Sequence, residues 1–182
     1  MDESSYIFEP HPFIRNGTLQ TILAAKFPGN IDLPRRIMHR IRVEPNSHLL
    51  LYEIPPQDNK AAIVILGHGM AGCSESGYMR RIARKLHSKG LGVIMTNQRG
   101  SGLGLGFSDR LWNGGASGDL ESVIKYVIRI HPTNPLLLVG FSLSGNVLLK
   151  YLGEGRKVPS NVLGAFAVNP PIDLKIASGI LS

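Results

Sequence analysis

The chain is poor in cysteine, in acidic residues and in long apolar runs, and it has no histidine in its C-terminal part. Its single cysteine, Cys73, excludes an internal disulfide framework and fits a reducing compartment. No stretch approaches the ~18 consecutive apolar residues of a membrane-spanning helix. The first residues, Met1-Asp-Glu-Ser-Ser5, are acidic and polar where a secretory signal needs an apolar centre. Cytoplasm is therefore the expected location. Cysteine and histidine never fall at metal-ligand spacing, so no metal is expected. Acid is scarce: 13 Asp and Glu against 20 Lys and Arg leave a net charge of +7. That balance permits contact with anionic lipid or nucleic acid without identifying either, and no nucleic-acid partner is expected. The last histidine is His131.

What is present suits a globular domain. The 182 residues are 43% apolar, enough for one sizeable core. Residues 1–36 form an irregular N-terminal segment broken by Pro10, Pro12, Pro28 and Pro34. Thr18 is expected to cap a short helix there, and His11 and Arg15 read as solvated loop residues. Residues 37–182 read as one α/β domain. Ile37 to Val43 alternates apolar and polar, Glu44-Pro-Asn-Ser47 turns, and Leu49 to Ile54 returns as a hairpin. Ala61 to Leu66 and Gly92 to Thr96 are continuous apolar runs, as buried parallel strands require.

Two helices announce themselves by spacing. Met79, Ile82, Ala83 and Leu86 form one stripe after a cap at Ser74 or Ser76. Arg80, Arg81, Arg84 and Lys85 take its solvated face. Leu120, Val123, Ile124, Val127 and Ile128 form the second stripe, over 117–130. A long glycine-rich loop, from Arg99 through Gly106 to Gly115, lies between them. Val162 to Val168 is a last strand, closed by Asn169-Pro-Pro171. Strands alternating with amphipathic helices predict a mostly parallel sheet with helices on both faces.

The stretch that organises the rest is Leu136 to Lys150. Leu136 to Val139 reads as a buried strand, and Val147, Leu148, Tyr151 and Leu152 read as a helix. Gly140, Ser144 and Gly145 crowd small side chains around Ser142. A strand turning sharply into a helix at a serine is a nucleophile elbow, G-x-S-x-G, here with Ser144 at the last position. The turn holds the hydroxyl clear of the backbone, at a helix N-terminus that favours developing negative charge. An ordinary junction, with Ser142 as a helix N-cap, remains the alternative.

Gly67-His-Gly-Met-Ala-Gly72 also has two readings. As G-x-G-x-x-G after a strand it suggests a dinucleotide site, with Arg99 near a 2′-phosphate, and so an NADP-binding oxidoreductase. Against that, Cys73 to Gly77 separates the third glycine from the helix, and a hairpin precedes the unit. As an oxyanion loop, the stretch supplies the backbone N–H of Met70, and Leu143 supplies a second donor. His68 then shapes the loop.

Several blocks together resemble the alpha/beta hydrolase superfamily, in its YheT-like branch (the AB hydrolase 4 family). They are His11-Pro with Asn16-Gly-Thr-Leu-Gln-Thr21, Gly67 to Gly72 with Ser76-Gly-Tyr78, Asn97-Gln-Arg-Gly-Ser-Gly102, and Gly140-Phe-Ser-Leu-Ser-Gly-Asn146. The resemblance implies a serine hydrolase of short- or medium-chain carboxylic esters, needing no cofactor. Some relatives act on phospholipids or transfer acyl groups to alcohols. In this fold the catalytic order is Ser, then Asp or Glu, then His. After Ser142 the chain has no histidine, and its only acids are Glu154 and Asp173. Asp173 is the candidate acid. The expectation is a hydrolase fold lacking its C-terminal strands, inactive alone, completed by a missing C-terminal half or a partner chain. A catalytically dead fragment that binds a ligand or partner is the alternative.

Overall fold

The computed structural model describes residue 10, residues 12–27 and residues 31–181. His11 lies outside the described residues. The elements in order are α1 (Gly17–Lys26), β1 (Ile37–Glu44), β2 (Ser47–Ile54), β3 (Ile63–Gly67), α2 (Gly77–His87), β4 (Gly92–Asn97), α3 (Ser117–Ile130), β5 (Leu136–Phe141), α4 (Leu143–Gly153), β6 (Val162–Val168) and α5 (Leu174–Leu181).

Six strands form one sheet in the order β1-β2-β4-β3-β5-β6. The β1–β2 hairpin joins antiparallel at one edge, and β4, β3, β5 and β6 run parallel. Alternation along each strand sorts side chains onto two faces. Ile63, Ile65, Ile94 and Leu138 pack beneath α3 and α4 with Val123, Ile124, Val127, Leu148 and Tyr151. Val64, Leu66, Val93 and Met95 pack beneath α2 with Met79 and Ala83. Each large side chain so buried contributes about 1.5–3 kcal/mol. Because both faces are covered, the central strands read as unbroken apolar runs.

Three local expectations need correction. The N-cap of α1 is Asn16, whose side chain accepts from Leu19 N–H, and not Thr18. Ser76 stands at the N-cap of α2 without capping it; its Oγ accepts from Cys73 N–H. Helix α5 was not foreseen, and Asp173 caps it, its Oδ1 accepting from Lys175 and Ile176 N–H at 2.9 and 3.0 Å. Beyond β6 the described sheet has no further strand. Leu163 and Phe166 on that edge strand are 69% and 59% exposed.

Candidate active site

Parallel β3, β4 and β5 end at the same edge of the sheet, and the loops leaving them converge there. Ser142 occupies the single residue between β5 and α4. Its backbone has φ +50 and ψ −118, a conformation that costs a non-glycine residue about 1–3 kcal/mol. An ordinary N-cap serine has extended dihedrals and caps the helix with its hydroxyl. Ser142 does neither: it is exposed, and its side chain makes no cap hydrogen bond. Its N–H donates to Val168 O at 2.9 Å, continuing the β5–β6 ladder into the turn.

The residues around it are small because backbone fills the space. A Cβ on Gly140 would lie 2.5 Å from Ser144 O and 2.7 Å from Gly145 N. A Cβ on Gly145 would lie 3.0 Å from Gly140 O, and one on Gly69 would lie 3.2 Å from Ser142 Cβ. The last distance puts the loop after β3 directly against the serine. Ser144 explains its own departure from glycine: its Oγ donates to His68 O at 2.6 Å. Gln98 Nε2 bridges Ser144 Oγ and Thr96 Oγ1.

His68 is fully buried, and both ring nitrogens meet backbone. Nε2 accepts from Gln98 N–H at 3.2 Å, so Nδ1 carries the proton given to Gly69 O at 2.7 Å. Burial pushes its pKa down, while the Gly69 bond opposes this less strongly. His68 is thus a neutral brace for the loop, with Trp112 edge-on to its ring at 5.4 Å. Gly69 N–H donates to Tyr78 OH at 2.8 Å, and burial raises the Tyr78 pKa. The neighbouring Met70 amide lies in this braced loop, just before Ala71 at φ +59. Leu143 begins α4, so its N–H has no acceptor within the helix.

Other sequence candidates are placed away from the serine or are otherwise engaged. His39 and His131 both meet Glu53, at 2.6 and 2.7 Å, toward the opposite end of the sheet. His87 ends α2, also at that end. His48 opens β2, three strands from β5, or about 14 Å at the usual strand spacing. None of the five described histidines presents a free ring nitrogen to Ser142. Asp173 is exposed and spends its carboxylate on the α5 cap. Arg99, the residue the dinucleotide reading needed, is 8% exposed and fully engaged. It forks onto Asp119 at 2.6 Å twice and reaches Glu44 at 2.7 Å. Both carboxylates raise its pKa.

Residues 58–181 match the family profile Hydrolase_4, described as serine aminopeptidase, S33. The chain belongs to this α/β-hydrolase family. Among curated relatives, the monoacylglycerol lipase ABHD2 of Mus musculus is 29% identical over 58% of the chain and 25% of its own length. The phospholipase ABHD3 of Bos taurus is 33% identical over 58% and 26%. A monoacylglycerol lipase of Saccharomyces cerevisiae is 29% identical over 64% and 26%. The chain thus spans about a quarter of the length of the curated relatives it matches. An esterase of Pyrococcus furiosus shares the fold, with TM-score 0.65 and 24% identity, covering 81% of the chain and 57% of the esterase. A serine hydrolase homologue from Coxiella burnetii has TM-score 0.60 and 22% identity, over 79% and 67%. Hydrolase family membership displaces the oxidoreductase reading, consistent with the engagement of Arg99.

The contacts of Tyr78, Gln98 and Trp112, and the bond of Ser144 to His68 O, were not foreseen from sequence. Only Ser144 carried a signal, its departure from the glycine of the elbow pattern.

Proposed function

We propose that this chain is the nucleophile-bearing part of a serine hydrolase acting on carboxylic esters of short or medium acyl chains. The observation that carries the reading is Ser142 at φ +50, exposed, with a hydroxyl that does not cap its helix. Ser142 Oγ attacks the ester carbonyl, giving its proton to a base. The N–H groups of Met70 and Leu143 receive the developing oxyanion. Collapse expels the alcohol, which takes that proton, and water then releases the acid. The names of the relatives, lipases and a phospholipase, support an ester of lipid type.

The general base is a histidine from outside this chain, in a further segment or a partner, because the chain has none after Ser142. The acid comes from the same source, with Asp173 occupied as a cap. Alone, the chain is several orders of magnitude slower than a complete triad. The lack, among the described residues, of a free histidine near Ser142 also supports a second reading, a non-catalytic fragment binding an acyl ligand or a partner.

Hydrolysis of a p-nitrophenyl butyrate series, with and without added imidazole, separates the two. Imidazole substitutes for the absent base. A rate above the imidazole blank, lost in Ser142→Ala, supports the hydrolase. A rate identical in both proteins at every imidazole concentration supports the non-catalytic fragment.

A further inference from the structure

Tyr78 stands beside the candidate nucleophile with a hydrogen that the fold leaves unused. It lies in the first turn of α2 and is half-buried. The Phe141 ring meets its ring edge-on, with centroids 5.1 Å apart, and Phe141 directly precedes Ser142. The Tyr78 hydroxyl accepts the Gly69 N–H at 2.8 Å. A phenol both accepts and donates. Here the accepting side is filled, and among the described residues no acceptor takes the O–H hydrogen.

Gly69 leaves an opening between this hydroxyl and the serine. The point that a Cβ on Gly69 would occupy lies 3.2 Å from Ser142 Cβ and 3.8 Å from the Tyr78 hydroxyl oxygen. Serine and phenol therefore border one small space, which a side chain at position 69 would fill. Burial raises the Tyr78 pKa, so the phenol keeps its proton at neutral pH. The bond received from Gly69 polarises the O–H and makes it a better donor. The next peptide is fixed as well: His68 Nδ1 holds Gly69 O, and in a trans peptide the Met70 N–H points the opposite way.

We propose that Tyr78 is a third oxyanion donor, its O–H meeting the negative oxygen formed when Ser142 attacks an ester carbonyl, beside the N–H groups of Met70 and Leu143. The role rests on the proposed function of Ser142. The relay runs from Gly69 N–H through the phenol to the substrate oxygen, and the donors are in place before charge develops. A phenol that only braced Gly69 would use its lone pair and leave its hydrogen idle.

Fluorophosphonate labelling of the intact chain, with imidazole as base, tests the role. Ser142 Oγ bonds to phosphorus, fluoride leaves, imidazole takes the hydroxyl proton, and the phosphoryl oxygen occupies the oxyanion position. Tyr78→Phe is expected to slow labelling about a hundredfold, with an unchanged circular dichroism spectrum. That variant also loses the Gly69 bond, so a second one separates donor from brace. Tyr78 replaced by 3-fluorotyrosine is a stronger donor and a weaker acceptor, compared at a pH where both phenols keep their proton. A donor to the oxyanion then speeds labelling, whereas a brace on Gly69 slows it. This comparison decides alone where Tyr78→Phe fails to fold. Slower labelling with fluorotyrosine, or a wild-type rate in folded Tyr78→Phe, overturns the proposal and leaves Ser142 as the nucleophile. No adduct on the wild-type chain at any imidazole concentration overturns the proposed function and the third donor with it.

Discussion

The hydroxyl of Ser144 donates to the main-chain carbonyl of His68 at 2.6 Å, joining residues 76 positions apart. This bond fastens the first turn of α4 to the loop after β3, the two segments that meet at Ser142. It is the physical reason a serine stands where the elbow pattern has glycine. Ser144→Ala leaves a buried carbonyl without its donor and is expected to lower stability by about 1–3 kcal/mol. The midpoint of urea denaturation checks it, and an unchanged midpoint refutes the tie.

The strain at Ser142 gives a prediction of opposite sign. Glycine adopts positive φ freely, so Ser142→Gly is expected to stabilise the fold by about 1–3 kcal/mol while removing the nucleophile. Thermal denaturation reads the gain. Destabilisation by Ser142→Gly contradicts strain at this position.

Gly140 is fixed by backbone and not by a flexible side chain. Gly140→Ala places a methyl 2.5 Å from Ser144 O. The expected loss is about 3 kcal/mol or more, with α4 displaced from β5. Hydrogen exchange of the α4 amides is the readout.

His68 makes stability depend on pH. Its folded pKa is lowered below the ordinary 6.5 by burial, so the unfolded chain takes up a proton that the folded chain refuses. Stability is therefore full above about pH 6.5 and falls as pH drops toward the lowered folded value. His68→Gln is expected to flatten that part of the profile, whatever its effect on the plateau. Chemical denaturation at a series of pH values measures the slope.

Arg99 and Asp119 are a buried forked pair with side chains 8% and 6% exposed. Asp119→Ala leaves the Arg99 cation with Glu44, itself 41% exposed, as its remaining carboxylate beside the Ser47 hydroxyl, and is expected to cost about 3–5 kcal/mol. A loss below about 1 kcal/mol would mean water replaces the carboxylate there.

Strong periodicity made much of the fold legible. The stripe from Leu120 to Ile128 placed α3, and the apolar runs placed β3, β4 and β5, because covered faces leave no polar interruption; β6 was read from an apolar run although its Leu163 and Phe166 are exposed. Helix α5 escaped because Leu174 to Leu181 is short and carries the weak helix former Gly179. The α1 cap was misplaced because Gly17, a weak helix former, opens the helix and hides Asn16. Ser142 was legible through the small residues its turn demands. The Glu53 bridge between His39 and His131, like the Gln98 contact to His68, joins residues distant in sequence and leaves no local pattern.

The central claim is that Ser142 is a presented nucleophile lacking its base. Intact-mass analysis after treatment with a fluorophosphonate probe tests it most directly, with Ser142→Ala as control and imidazole as the variable. Slow labelling of the chain alone is expected, with acceleration by imidazole, one adduct per chain, and none on Ser142→Ala. Rapid stoichiometric labelling without imidazole would mean that a base already reaches the serine. An adduct that persists in Ser142→Ala would mean that the nucleophile is another residue.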